Sequence, residues 1–165
     1  MSDARGPEAE QFFQLMALHK YFLNADFLRD VFMRQIKDSG PPVDASFAKS
    51  LNTMTAMSLW YATVFVVIEG WQELKLADAK VDACLTDENH VNHLRLFRNQ
   101  MFHYQEAYDN PKLIKFLGEN DSDAETVTRW IRTTHAALGE AIEAAIQANL
   151  DGQRRPDTRV ENTNQ

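Results

Sequence analysis

Four stretches of this chain repeat their apolar residues at helical spacing, and no run alternates long enough to read as a strand. In the first, Phe12, Leu15, Met16, His19, Phe22, Leu23, Phe27, Val31 and Ile36 recur three and four residues apart. That spacing predicts a helix from about Glu8 to Lys37. Ser39-Gly40-Pro41-Pro42 then ends it, because consecutive prolines cannot continue a helix. Asp44 suits the N-cap of a second helix, about Ala45 to Leu76, which is apolar nearly all round between Trp60 and Trp71. A helix of that kind belongs at the centre of a bundle, touching several neighbours.

The second helix carries no charge between Lys49 and Glu69, a length that could cross a bilayer. Ser50, Asn52, Thr53, Thr55, Ser58 and Thr63 dilute it, and the dense part from Leu59 to Ile68 is too short to span. The expectation is a buried helix and no membrane. Leu76 to Leu85 reads as a weak helical turn. Thr86 or Asp87 caps a third helix to about Tyr108, ended by Asn110-Pro111. Lys112 to Leu117 forms a short turn closed by Gly118. Ser122-Asp123-Ala124-Glu125 has capping-box spacing and opens a fourth helix with Val127, Trp130, Ile131, Leu138, Ile142, Ala145 and Ile146 as its stripe.

The predicted architecture is therefore all-α: an antiparallel bundle of four long helices, as two helical hairpins, with short connecting helices. Residues 1–7 read as a flexible N-terminus, 8–150 as one helical domain, and 151–165 as a disordered polar tail. There is no internal repeat and no Gly-rich phosphate loop.

The net charge of −7 means that nucleic acid could be held only at a local basic patch. One cysteine, Cys84, excludes an internal disulfide and suits a reducing compartment. The first residues lack a basic segment leading into an apolar one, so no signal peptide is expected. The expected location is cytoplasmic.

Chemistry concentrates on the third helix. On a helical wheel Val91, Leu94, Phe97, Met101, Tyr104 and Tyr108 form the core stripe, while Arg95, Asn99, Phe102, His103 and Glu106 share a second side with Arg98 at its border. Phe102 among polar groups reads as the centre of a contact surface with a polar rim; the plainer alternative is a partly buried Phe beside solvated charges. Histidine is the side chain suited to proton transfer near neutral pH, so His103 can move a proton at a sugar hydroxyl or leaving oxygen. Arg98 is a fixed forked cation that can grip a phosphate. Asn99 can orient either the imidazole or a phosphate oxygen. With no acidic metal cage in the pattern, the trio suits RNA cleavage without metal or other cofactor, the 2′-hydroxyl attacking to leave a cyclic phosphate and a 5′-hydroxyl.

Arg98-Asn99-Gln100-Met101-Phe102-His103 resembles the signature of the HEPN superfamily, an Arg, a polar residue, three more positions and a His. The resemblance covers about Phe12 to Leu150. It implies a compact bundle of two hairpins, a homodimer in which the Arg and His motifs meet, and metal-independent ribonuclease activity of the toxin–antitoxin, anti-phage or RNA-processing kind. An antitoxin or other partner protein is then a possible companion. Other members have lost activity and only bind, so a module binding RNA, a nucleotide or a protein is the alternative; a helical scaffold without ligand is a third.

Among the remaining residues, Glu69 is the one charge in its apolar stretch and is expected to be buried against Arg98 or Arg95. It either orients the arginine or neutralises a structural charge. Tyr104 either stacks a base or packs. His90 and His93, three apart, are read as a solvated pair or phosphate contact and not as metal ligands, since no complementary Cys or His follows. Arg129 and His135 repeat the loose Arg–His spacing, but His135, like His19, lies in an amphipathic stretch and is expected to be a packing or a border residue. Lys112, Lys115, Arg129 and Arg132 could form a basic rim or a solvated face.

Overall fold

A computed structural model describes residues 6–38, 47–104, 106, 116, 118 and 120–154. Among them the chain is all-helical: α1 Pro7–Asp38, α2 Phe47–Glu73, α3 Ala79–Leu85, α4 Glu88–Phe102 and α5 Asp121–Arg154. Pro7 opens α1, where a missing N–H costs nothing. Asp44, the expected cap of α2, lies outside the described residues, as do residues 39–46, 107–115 and the tail after Arg154. At its other end α2 stops at Glu73, three residues before the expected Leu76. Lys75 takes a left-handed turn with φ 53°, its N–H bonds the Gln72 carbonyl, and Leu76 N–H reaches back to the Trp71 carbonyl. This is a Schellman closure built on lysine where glycine is usual.

The weak turn before the third long helix is a full helix, α3, capped by the Asp78 carboxylate, which accepts from Lys80 and Val81 N–H. Asp87 caps α4 by accepting from His90 N–H. The cap of α5 stands two residues earlier than Ser122: Asn120 Oδ1 accepts from Asp123 N–H at 3.0 Å while its Nδ2 donates to the Asp123 carboxylate. Gly118, with φ 89°, precedes that cap, and a Cβ there would lie 2.5 Å from Asp123 Cβ. At the far end α5 continues to Arg154, four residues beyond the expected stop at Leu150.

The core is built around α2. Trp60, Tyr61, Val64, Val67, Ile68 and Trp71 are buried against Leu18, Phe22 and Ala25 of α1, Leu94 and Phe97 of α4, and Ile131, Leu138 and Ile142 of α5. Helix α2 is also long and apolar enough to cross a membrane by composition alone; packing on three neighbours gives its apolar side chains a use within the protein. Gly70 faces Leu18, and Phe32 stacks near Trp60, so α1 and α2 run antiparallel. Phe22 meets Gly139, and Asp26 meets His135, so α1 also runs antiparallel to α5. A Cβ on Gly139 would fall 2.5 Å from Phe22 Cζ, which is why this helix position lacks one.

The apolar residues of α1 divide between two faces. Met16, Leu23, Phe27 and Ile36 are exposed. Met16, Leu23 and Phe27 lie on the far side of α1 from Leu18, Phe22 and Ala25, whereas Ile36 is on the side of Leu18 but close to the helix end at Asp38. Of the two readings of His135, packing and border, the structure shows packing: the residue is fully buried, at 1% exposure. Its Nδ1 accepts from Trp60 Nε1 at 3.2 Å and its Nε2 lies 3.2 Å from Asp26 Oδ1. The ring is enclosed by Phe22 and Trp60, with centroids 5.0 and 5.9 Å away.

Candidate functional site

The last turn of α4 meets the face of α2 that points away from the Trp60 core. Glu69 stands nine residues after Trp60, about half a turn round the helix. Phe65 precedes Glu69 by four residues, so both side chains reach the same neighbour. That neighbour is Arg98. Its Nη2 donates to Glu69 Oε2, its Nη1 donates to Asn99 Oδ1 at 2.9 Å, and its guanidinium carbon sits 5.4 Å over the Phe65 ring. Arg98 Nε is buried with no acceptor among the described residues. A guanidinium has five N–H donors, so after these contacts Nη1 and Nη2 each keep one for a ligand.

The expected pair of Glu69 with an arginine of this helix is therefore present, and the arginine is Arg98. Glu69 is not buried, however. Its side chain is 43% exposed and that of Arg98 is 25% exposed. Half a turn from Trp60, Glu69 rests on the margin of the core, where water still reaches it. Arg95 takes no part: one turn earlier, exposed, it donates to Asn92 Oδ1 from both Nε and Nη2.

Helix α4 ends at Phe102, short of the expected Tyr108. His103 follows in extended backbone (φ −117°, ψ 137°), with its N–H on the Asn99 carbonyl. Because the helical wheel no longer applies there, Tyr104 is 93% exposed and does not join the core stripe. Leu94 and Phe97 are buried on that stripe, with Val91 and Met101 packed at its edge; Tyr108 lies outside the described residues. Phe102, His103 and Glu106 are exposed. The structure thus brings Arg98, Asn99 and Glu69 into contact, adds Phe65, and leaves Phe102, the last residue of the arginine's helix, and His103 and Tyr104 just after it on the surface. Phe65 had no signal in the sequence beyond its spacing from Glu69, since a Phe in a core helix is ordinary.

The other histidines and cations do different work. His90 Nδ1 lies 2.5 Å from the Asp87 carboxylate and its ring stacks on Trp130 at 5.2 Å. The N–H of His90 on the Asp87 carboxylate, together with the His90 ring, holds that acid below the usual carboxylate range. His90 is therefore part of a cap. Among the described residues no three His, Cys, Asp or Glu side chains gather as a metal-holding group. Arg129 and Arg132 are exposed along a shallow groove on α5 that Asp121 and Glu125 also line, while His135 is buried in the core, so Arg129 and His135 form no joint site. Lys112 and Lys115 lie outside the described residues. On the α1 side of Glu69 a second groove of about 540 Å³ is lined by Glu69 and Glu73 and by no cation among the described residues. No known family model matches this chain, no curated protein is significantly similar to it, and no solved structure matches it.

Proposed function

We propose that this chain is a HEPN-like, metal-independent endoribonuclease whose helices form a bundle of two hairpins and whose Arg98/His103 site works at a homodimer contact centred on Phe102. The observation that carries the reading is the seating of Arg98. A cation stacked on Phe65 and tied to Glu69 and Asn99 is pre-oriented, and it stands in the same short segment as an exposed histidine. In the proposed reaction Arg98 holds a phosphate through its remaining N–H groups. His103 takes the proton of the 2′-hydroxyl as that oxygen attacks the adjacent phosphorus. The P–O5′ bond breaks, a proton passes to the departing 5′ oxygen, and the products are a 2′,3′-cyclic phosphate and a 5′-hydroxyl. Phe102 and Arg95 belong to the contact surface, and exposed Tyr104 is available to stack a base.

One observation favours the alternative, a binding module without catalysis. Glu69 offsets the charge of Arg98 and weakens its grip on a phosphate. An experiment separates the two. Purified protein should cut RNA in the presence of EDTA, leave cyclic-phosphate ends, and fail where deoxyribose replaces ribose at the cut. His103→Ala and Arg98→Ala should abolish cutting, and Arg98→Lys should rescue poorly because a point charge lacks the fork. Arg129→Ala should cut like the parent. If the parent binds RNA without cutting it over a wide pH range, the binding module stands and the enzyme does not.

A further inference from the structure

Helix α1 presents a second apolar line on the side away from its core face. Phe13, Met16, Leu23 and Phe27 are 51, 38, 52 and 63% exposed. They lie roughly 120–160° round the helix from Leu18 and Phe22 at 100° per residue. The line reads Phe13, Met16, Lys20, Leu23, Phe27, Asp30, Arg34, Lys37, in steps of three and four. That is the spacing of a coiled-coil seam, about 36 Å long at 1.5 Å per residue. Single exposed apolar residues are ordinary, but four in register on one face mark a contact surface.

We propose that this face pairs antiparallel with the same face of a second copy of the chain. The charges on the line select that occupant and that direction. Parallel pairing would set Lys20 against Lys20 and Asp30 against Asp30. Antiparallel pairing about a two-fold axis level with Ala25 sets Leu23 on the partner's Phe27, and Lys20 on the partner's Asp30. Farther out, Met16 meets the stem of the partner's Arg34, and Phe13 meets that of the partner's Lys37. Symmetry repeats each contact, giving an apolar centre flanked by ion pairs. Lys20, Asp30, Arg34 and Lys37 are all exposed. Asp30 bonds Arg29 of its own chain at 3.1 Å, but that surface pair is weak and leaves the second carboxylate oxygen for Lys20. A lysine within a seam also sets its register.

The contact is on α1, apart from Arg98 and His103 on α4, and stands or falls independently of the ribonuclease reading. To remove the other proposed self-contact, sedimentation is measured in a Phe102→Glu background, with circular dichroism confirming helix content. That chain should be a dimer, and adding Leu23→Glu with Phe27→Glu should make it a monomer. Lys20→Glu should weaken the dimer about tenfold or more, since like charges then face each other, and adding Asp30→Lys should restore it. Independently, with Cys84→Ser, Lys20→Cys plus Asp30→Cys should cross-link into a covalent dimer, whereas Lys20→Cys alone should not. A monomeric Phe102→Glu chain at high concentration, whatever else the face binds, overturns the proposal. So does a dimer indifferent to Leu23→Glu and Phe27→Glu, or a charge exchange that does not restore it.

Discussion

Replacing His135 with phenylalanine puts a somewhat larger ring in the core and removes both polar edges of the imidazole. The wild-type hydrogen bonding dictates the tautomer. Trp60 Nε1 can only donate, so His135 Nδ1 must offer a lone pair, and the proton sits on Nε2, facing Asp26. His135→Phe leaves the Trp60 indole N–H buried with no acceptor, at 0% exposure of that residue. An orphaned buried donor costs about 1–3 kcal/mol, and the partly exposed Asp26 recovers water at little cost. His135→Ala adds a cavity beside Phe22 and should cost about 3–5 kcal/mol. Adding Trp60→Phe to His135→Phe removes the orphan, so the double variant should lose less than the two single losses summed.

The same geometry sets a pH dependence. Burial pushes the His135 pKa below its usual value, although the Asp26 carboxylate pulls the other way; Arg29 adds to the depression and Asp30 opposes it. A histidine lowered in the folded state takes up a proton on unfolding. Its contribution is therefore complete above the unfolded value of about 6.5 and is lost as pH falls from there through the folded value, at up to about 1.4 kcal/mol per pH unit. Urea unfolding of the parent and of His135→Phe between pH 7.5 and 5 isolates this term, because the phenylalanine variant lacks it. The parent should lose more stability on acidification than the variant does. Equal losses would refute the neutral-histidine assignment, and an unchanged midpoint for His135→Phe at pH 7.5 would refute the hydrogen bond.

Two other substitutions test the geometry of α2. Lys75→Gly should stabilise the chain by about 0.5–1 kcal/mol, since lysine is strained at φ 53° and glycine is not; thermal melts giving a loss would count against the Schellman closure. Glu69→Ala should cost no more than about 1 kcal/mol in chemical denaturation, because a pair with a 43% exposed carboxylate is largely screened; a cost of 3–5 kcal/mol would mean that the pair behaves as buried.

The helices were legible because periodicity is a local property, and α1 matches its expected span to within a residue at each end. Which face of α1 is covered was not, since Phe27 and Phe22 carry the same apolar signal and only the placement of α2 and α5 distinguishes them. The end of α4 was missed for a different reason: no Gly or Pro stands between Phe102 and Asn110 to mark it. At the site, Glu69 stood out because it is the lone charge of its stretch, and that contrast correctly pointed to an arginine on α4. Its degree of burial was not readable, because the stretch is apolar on all sides while only part of its circumference is covered. His135 was unreadable for want of local cues. Its partners lie 75 and 109 residues away in the chain, and a histidine on an amphipathic helix looks the same at the border as in the core.

Helix α2 joins the two polar arrangements. Trp60 on one side donates to His135, and half a turn away Phe65 and Glu69 seat Arg98. Because Trp60 is wholly buried and Phe65 nearly so, the arginine rests on a packed part of the core. A guanidinium held in that way gives up little side-chain freedom when it meets a phosphate, and this favours a tight, oriented grip. The Glu69 carboxylate works against it by lowering the net charge that the phosphate meets. Which effect dominates depends on whether the phosphate adds to the remaining Nη N–H groups or displaces Glu69 from Nη2. Addition keeps the arginine in its seat and suits a cation that must hold still while a bond breaks. Displacement frees the guanidinium to move, which suits a surface that only binds. The seating by Phe65 and Asn99, neither of which a phosphate need displace, favours addition, the mode that the proposed ribonuclease requires.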